Sequence, residues 1–178
     1  MVSGHAFIAM SLDGYIAKSD GGIDWLISRD DPSEDHGYND FIKDIDVVIM
    51  GRGSFEKALT FDSWPYAIPV VVISKTLKPE DVPIRLNGKV RIVDLAPEQL
   101  MGEMEKEGWR KAYIDGGQVI QSFLREKLIV DMVITTVPVL LGGGRHLFGP
   151  LNEEVSLTHL KTTAFPSGLV QSIYKVIK

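Results

Sequence analysis

The sequence predicts an α/β domain built on a mostly parallel sheet and finished by antiparallel strands. Three observations carry this expectation. Up to residue 130, short apolar runs alternate with stretches of helical spacing, the pattern of strand–helix–strand units. Three of the runs stop at small, polar or basic residues: 47–50 at Gly51-Arg52-Gly53-Ser54, 70–73 at Ser74-Lys75, and 111–114 at Asp115-Gly116-Gly117. Beyond residue 130 the helical spacing disappears and three strand-like segments follow.

Composition narrows the function. A chain of 178 residues is read as one domain, residues 1–178, with room for a sizeable core. With 44% hydrophobic and 24% charged residues it is ordinary globular material, not a disordered chain. A net charge of −5 and no aromatic-rich basic stripe argue against nucleic acid as partner. No cysteine is present, which excludes disulfides, thiolate metal sites and a Cys nucleophile. His5, His36, His146 and His159 lack metal-motif spacing, so no metal is expected. The N-terminus does not read as a signal peptide, and no apolar run approaches the ~20 residues of a membrane span. The expected setting is the cytoplasm, away from membranes.

The elements follow in order. Residues 5–10 carry almost no polar side chain, as suits a central strand covered on both faces. Asp13-Gly14 is a strong turn pair, and Ser19-Asp20-Gly21-Gly22 is a second flexible point. Between them Tyr15-Ile16-Ala17 is too apolar to stay in water. The stretch 11–25 therefore reads as a lid with glycine hinges, closing over a ligand to exclude water. Trp25 is placed to pack or to line a pocket. Residues 30–35 form an acidic loop leading into a helix on which Tyr38, Phe41, Ile42 and Ile45 share one face; Asp35 falls near that face. Residues 47–50 are a fully buried strand, and a helix is expected from Ser54 with that residue as N-cap. Strands are expected at 70–73, 90–93 and 111–114, with a loop over 78–89. Helices are expected from Pro97, with Leu100, Met101 and Met104 on one face, and over 118–127. A long strand over 132–141, broken by Gly142-Gly143-Gly144, precedes strands at 155–164 and 169–177.

The three strand ends are the candidate site. Helix starts present free N–H groups that favour an anion, and the Arg52 guanidinium is a planar fork suited to phosphate. A parallel sheet gathers such strand C-termini along one edge.

Six motifs then carry a resemblance: residues 11–17 (SLDGYIA), 23–25 (IDW), 50–54 (MGRGS), 72–75 (VISK), 114–117 (IDGG), and 138–148 with its triple glycine. Together, in this order, the sequence resembles the dihydrofolate reductase-like superfamily, nearest to the C-terminal reductase domain of the bifunctional riboflavin-biosynthesis protein. The resemblance implies a three-layer α/β/α fold around a central mixed sheet, with NADPH across the strand C-termini. It implies that Gly51, Arg52, Gly53 and Ser54 hold phosphates, and that Ser74 and Lys75 sit near the 2′-phosphate. Gly116, Gly117, Gln118 and Val119 would cradle the pyrophosphate, while Ala9 and Ile16 flank the nicotinamide. Asp35, or Glu34 beside it, is the candidate for the helix carboxylate of dihydrofolate reductases. No zinc ligand set is present, so the resemblance extends to reduction only. It also implies a homodimer formed through the C-terminal strands and the loop around Gly142 to Phe148.

Two functions fit. One is an NADPH-dependent reductase of a small heterocycle, a pyrimidine or a pterin, such as 5-amino-6-(5-phosphoribosylamino)uracil or dihydrofolate. Asp13, Asp35 and Asp24 are its candidate acids, Asp13 and Asp35 as the catalytic pair, with Asp24, Trp25 and Asp35 toward substrate. The other is a binding module that retains the NADP(H) pocket without catalysis.

Overall fold

The structure is a computed structural model and describes residues 1–177. Its centre is an eight-stranded sheet. In chain order the sheet strands are β1 (Ser3–Ser11), β3 (Val47–Gly51), β4 (Val70–Ile73), β5 (Val90–Val93), β6 (Lys111–Asp115), β7 (Ile129–Val137), β9 (Leu157–Ala164) and β10 (Val170–Val176). Across the sheet the order is β5-β4-β3-β6-β1-β7-β10-β9. Every pairing from β5 to β7 is parallel; β10 is antiparallel to both its neighbours. The mixed, mostly parallel sheet with an antiparallel end is the one the sequence predicts.

Burial explains the order. Val47, Val48, Ile49 and Met50 of β3 are all 0% exposed, which only a strand covered on both faces allows. Val47 and Ile49 join the core under α4 (Pro97–Lys106) and α5 (Gly117–Arg125), against Leu100, Met104, Ile120 and Phe123. Val48 and Met50 join the opposite core with Phe55 of α3 (Arg52–Ala58) and Phe41 of α2 (Tyr38–Lys43). Each fully buried side chain of this kind contributes about 1.5–3 kcal/mol. A third, smaller cluster packs Trp25 of α1 (Asp24–Ile27) on Val137 and Leu169.

Element boundaries differ from the sequence reading in places with local causes. The long strand stops at Val137 because Pro138 follows and lacks the N–H a ladder needs. α3 begins at Arg52 with Gly51 as N-cap, so Ser54 lies in its first turn instead of capping it. Within 78–89 two 3₁₀ turns form, Pro79–Asp81 and Ile84–Leu86. Among the described residues no helix is long and apolar enough to cross a membrane.

The largest correction concerns residues 11–25. Tyr15–Ala17 form a strand, β2, paired antiparallel with β8 (Arg145–His146). The Leu147 N–H donates to the Gly14 carbonyl (2.9 Å), and the Tyr15 and His146 rings lie 4.3 Å apart. Asp13 locks the arrangement. Its carboxylate accepts from the Ser11 hydroxyl (2.6 Å) and from the Leu141 and Gly142 N–H groups (3.1 and 2.7 Å). The apolar middle of the stretch is thus packed against the chain's own later loop, with Ala17 buried and Tyr15 and Ile16 half-buried, and residues 11–17 form a pinned support where a hinged lid was expected.

These bonds favour the ionised carboxylate. The Ser11 hydroxyl foremost, then the Gly142 and Leu141 N–H groups, lower the Asp13 pKa to about 2 against a smaller opposing effect of burial. A depressed carboxyl contributes stability above its ordinary range that is lost as pH falls through the folded value. We expect the Asp13 carboxyl resonance to titrate near pH 2, with Leu141 and Gly142 amide protection intact at pH 4 and lost toward pH 2. A midpoint near 4 in the carboxyl NMR titration would contradict the anchoring role.

Candidate functional site

Because β4, β3, β6 and β1 run parallel, their C-terminal turns lie side by side. The structure joins three of these turns through specific contacts. At the end of β3, Arg52 Nε donates to Glu56 Oε1 (2.7 Å) and its Nη1 to Thr76 Oγ1 (3.0 Å), tying the β3 turn to the β4 turn. Ser74 is buried, and its Oγ accepts from the Thr76 and Leu77 N–H groups (3.2 and 3.0 Å). It therefore shapes the turn that presents exposed Lys75. Thr76, which the sequence reading passed over, is the residue that receives Arg52.

The β6 turn is fitted to the β3 turn at glycine. Gly116 has φ +90°, and a Cβ there would meet Ser54 Oγ at 2.7 Å. A Cβ on Gly117 would stand 2.5 Å from the His146 carbonyl oxygen. A side chain at Gly116 would press the β6 turn against the β3 turn and one at Gly117 would press it against His146, so glycine keeps backbone N–H groups of the α5 first turn at the edge. Gln118 is exposed, whereas the Val119 side chain points into the core below Gly51. Ile16 packs on Gly117.

Two groups at this edge were missed. Asp115, at the end of β6, is half-buried; burial pushes its pKa up, while the Gly116 N–H and the Ser54 and Tyr113 hydroxyls hold it partly down. Arg145 arrives from the far end of the chain. Its Nη1 lies 2.9 Å from where a Gly53 Cβ would stand, and its Nη2 3.4 Å from the same point on Gly21. Among the described residues it has no carboxylate partner, so it adds a free positive charge over the α3 first turn. The basic residue directly after a triple glycine was the available signal.

Beside this edge, on the α2–α3 face of the sheet, a cleft of ≈ 280 Å³ opens between Phe7 and Ala9 of β1, Leu26 and Ile27 of α1, and Thr135 of β7. Leu169, Asp30 and His36 complete its wall. It is largely apolar, with a few polar groups, as small-molecule sites are. Ala9 is the one expected site residue in that wall. Asp24 is exposed and paired with Lys18 (2.8 Å), whose hydrogen bond lowers its pKa. Trp25 is 6% exposed and packs behind the cleft, its indole Nε1 unpaired in the structure. Asp35 is exposed and accepts the Gly37 N–H (2.8 Å) in a local turn. Asp13, held ionised, is unsuited to giving up a proton near neutral pH. The buried carboxylate of this segment is Glu34, whose side chain is 6% exposed. It accepts from the Ser167 N–H (2.7 Å) and hydroxyl (2.6 Å) and lies 3.1 Å from His36 Nε2.

Comparison with known proteins follows the fold. The family model for the RibD C-terminal domain matches residues 4–171. The uncharacterized protein YwjB of Bacillus subtilis (strain 168) is 34% identical over 162 residues, covering 89% of this chain and 90% of that protein. The uncharacterized protein YyaP of the same organism is 29% identical over 187 residues, covering 94% and 91%. The crystal structure of a Shewanella sp. PV-4 protein, provisionally assigned to riboflavin biosynthesis, has a TM-score of 0.92 at 39% identity, covering 99% of this chain and 100% of that one. The Thermotoga maritima diaminohydroxyphosphoribosylaminopyrimidine deaminase/5-amino-6-(5-phosphoribosylamino)uracil reductase has a TM-score of 0.72 at 13% identity, a likeness of fold alone. It covers 99% of this chain and 57% of that longer one. With a family match over nearly its whole length and relatives that share both sequence and fold, this chain belongs to the RibD C-terminal domain family, a reductase-related family.

Proposed function

We propose that the protein is an NADPH-dependent reductase of a small heterocycle, of the pyrimidine or pterin class. The observation that carries this reading is the convergence of the β3, β4 and β6 turns, with glycine N–H groups and free cationic charge at one edge beside an apolar cleft. A dinucleotide needs phosphate ligands and an aromatic slot, and the donors present suit both. Arg52, Lys75 and the Ser74–Thr76 turn would face the 2′-phosphate. The backbone of Gly51, Gly53, Ser54 and the 116–119 segment would take the other phosphates. Ala9 and Ile16 would border the nicotinamide.

The bound cofactor supplies a hydride. The chain's own part is to align the substrate on the apolar β1 wall, exclude water and supply one proton. The reductase function printed for the Thermotoga maritima protein supports the pyrimidine class. The alternative, a binding module without turnover, retains the same edge. NADPH oxidation against a panel of aminopyrimidines and pterins separates the two: turnover with any member supports the enzyme, and tight NADPH binding with none turned over supports the module.

Cofactor choice gives a sharper expectation. Loss of a hydrogen bond to a charged group is worth about 1.5–3 kcal/mol, roughly ten- to a hundredfold. Arg52→Ala should weaken NADPH binding by that factor and NADH binding little, measured by calorimetry. Equal losses would move Arg52 to the pyrophosphate.

The same reading includes a homodimer through the C-terminal strands. It is supported by β9, an eight-residue edge strand that leaves Leu157 and Leu160 exposed; open edges of this kind call for cover. Light scattering at micromolar concentration should give twice the chain mass, and a sharp monomer peak would remove the dimer.

A further inference from the structure

The reductase reading needs a proton donor, and the carboxylates considered from sequence do not serve. Asp13 is held ionised by the Ser11 hydroxyl foremost and by the Gly142 and Leu141 N–H groups, and Asp35 and Asp24 point into water with local partners. On the cleft wall itself the titratable side chains are Asp30, exposed at the rim, and His36.

His36 is fixed from both ends. Its backbone carbonyl accepts from Gln171 Nε2 (3.0 Å), and the same amide donates to Thr135 Oγ1 (3.1 Å) on the cleft floor. Its ring meets Phe165 edge-on at 4.6 Å. The side chain is 19% exposed, and its Nε2 lies 3.1 Å from Glu34 Oε2. Glu34 is itself clamped by Ser167 in the β9–β10 hairpin. Nδ1 has no partner among the described residues. A carboxylate bound to one ring nitrogen fixes the ring and leaves the other nitrogen for a ligand. The groups facing the ring are anionic or neutral. Glu34, Asp31 and Asp30 lie on its own segment, Asp30 on the cleft wall, and Ser167, Phe165, Gln171 and Thr135 come from the packed strands and hairpin.

We propose that His36 is the proton donor for reduction of a C=N bond in, or attached through an amino nitrogen to, a planar nitrogen heterocycle held in this cleft, with Glu34 as the residue that positions it. The proposal rests on the reductase reading. NADPH, when bound, would supply the hydride to the C=N carbon, with the π pair moving to nitrogen. The Nδ1–H bond of the imidazolium breaks as the new N–H bond forms. The substrate would gain two electrons and two hydrogens, the cofactor would supply the electrons, and neutral His36 would be reprotonated from solvent.

The test compares wild type with His36→Asn and Glu34→Gln, each checked for folding by thermal melting and for NADPH affinity. Wild-type kcat/KM, measured on the panel member that is turned over, should fall as pH rises and the imidazolium is lost. His36→Asn should be about 10²- to 10⁴-fold slower, without that limb and with NADPH affinity within about twofold. Glu34→Gln should lower kcat with KM little changed and keep the limb. An independent readout is NMR of the ring nitrogens. Binding of 2,4-diaminopyrimidine should shift His36 and leave His5, His146 and His159 in place. Three outcomes overturn the proposal. A folded His36→Asn enzyme that keeps its rate within about threefold and its pH limb rejects His36 while the reductase reading stands, and turns attention to Asp115. Diaminopyrimidine binding that leaves the His36 signals unmoved rejects the cleft contact. Wild type that fails to bind NADPH removes the reductase reading and this proposal with it.

Discussion

Parallel pairing is the constraint on which this molecule depends. β3 is buried on both faces, its neighbours β4 and β6 run the same way, and β1 runs parallel beside β6. Every C-terminal turn then emerges on one edge. The chemistry of those turns is thereby pooled. Arg52 reaches the β4 turn, Ser54 seats against Gly116, and Val119 packs beneath Gly51. None of these residues is adjacent in sequence to its partner; the sheet order brings them together.

The polar groups near this edge fall into two kinds. Some are consumed by structure. Asp13 ties β1 to the loop after β7, Ser74 closes its own turn, and Glu34 fastens the helix approach to the β9–β10 hairpin. Others are left with capacity to spare: Arg145, Lys75, His36 Nδ1 and the N–H groups of the α5 first turn. A site needs both kinds. Saturated carboxylates hold the frame still, and the unsaturated groups face what binds.

Much of this was legible in the sequence where the signal is local. Buried runs such as 47–50 and 70–73 announce strands by apolarity alone, and the glycines that end 47–50 and 111–114 announce the edge. What was not legible depends on distant partners. Tyr15-Ile16-Ala17 reads as a lid until Arg145-His146 pairs with it, more than a hundred residues later. Asp13 and Asp35 read as catalytic acids because a carboxylate's neighbours cannot be seen in a sequence; beside nearby Ser11, two of Asp13's donors are at 141 and 142. Trp25 reads equally well as core or pocket, and only its packing on Val137 and Leu169 decides. His36 is a lone histidine until the hairpin carrying Ser167 places Glu34 beside it.

The central claim is that the pooled strand ends form a dinucleotide site on a support that is already rigid. Amide hydrogen exchange with and without saturating NADPH tests it most directly. The account predicts added protection at residues 51–54, 74–76 and 115–119. Residues 15–17 should be slow to exchange before the cofactor is added and should change little. Protection that appears instead along β9 and β10, or an edge whose exchange NADPH leaves unaltered, would contradict it.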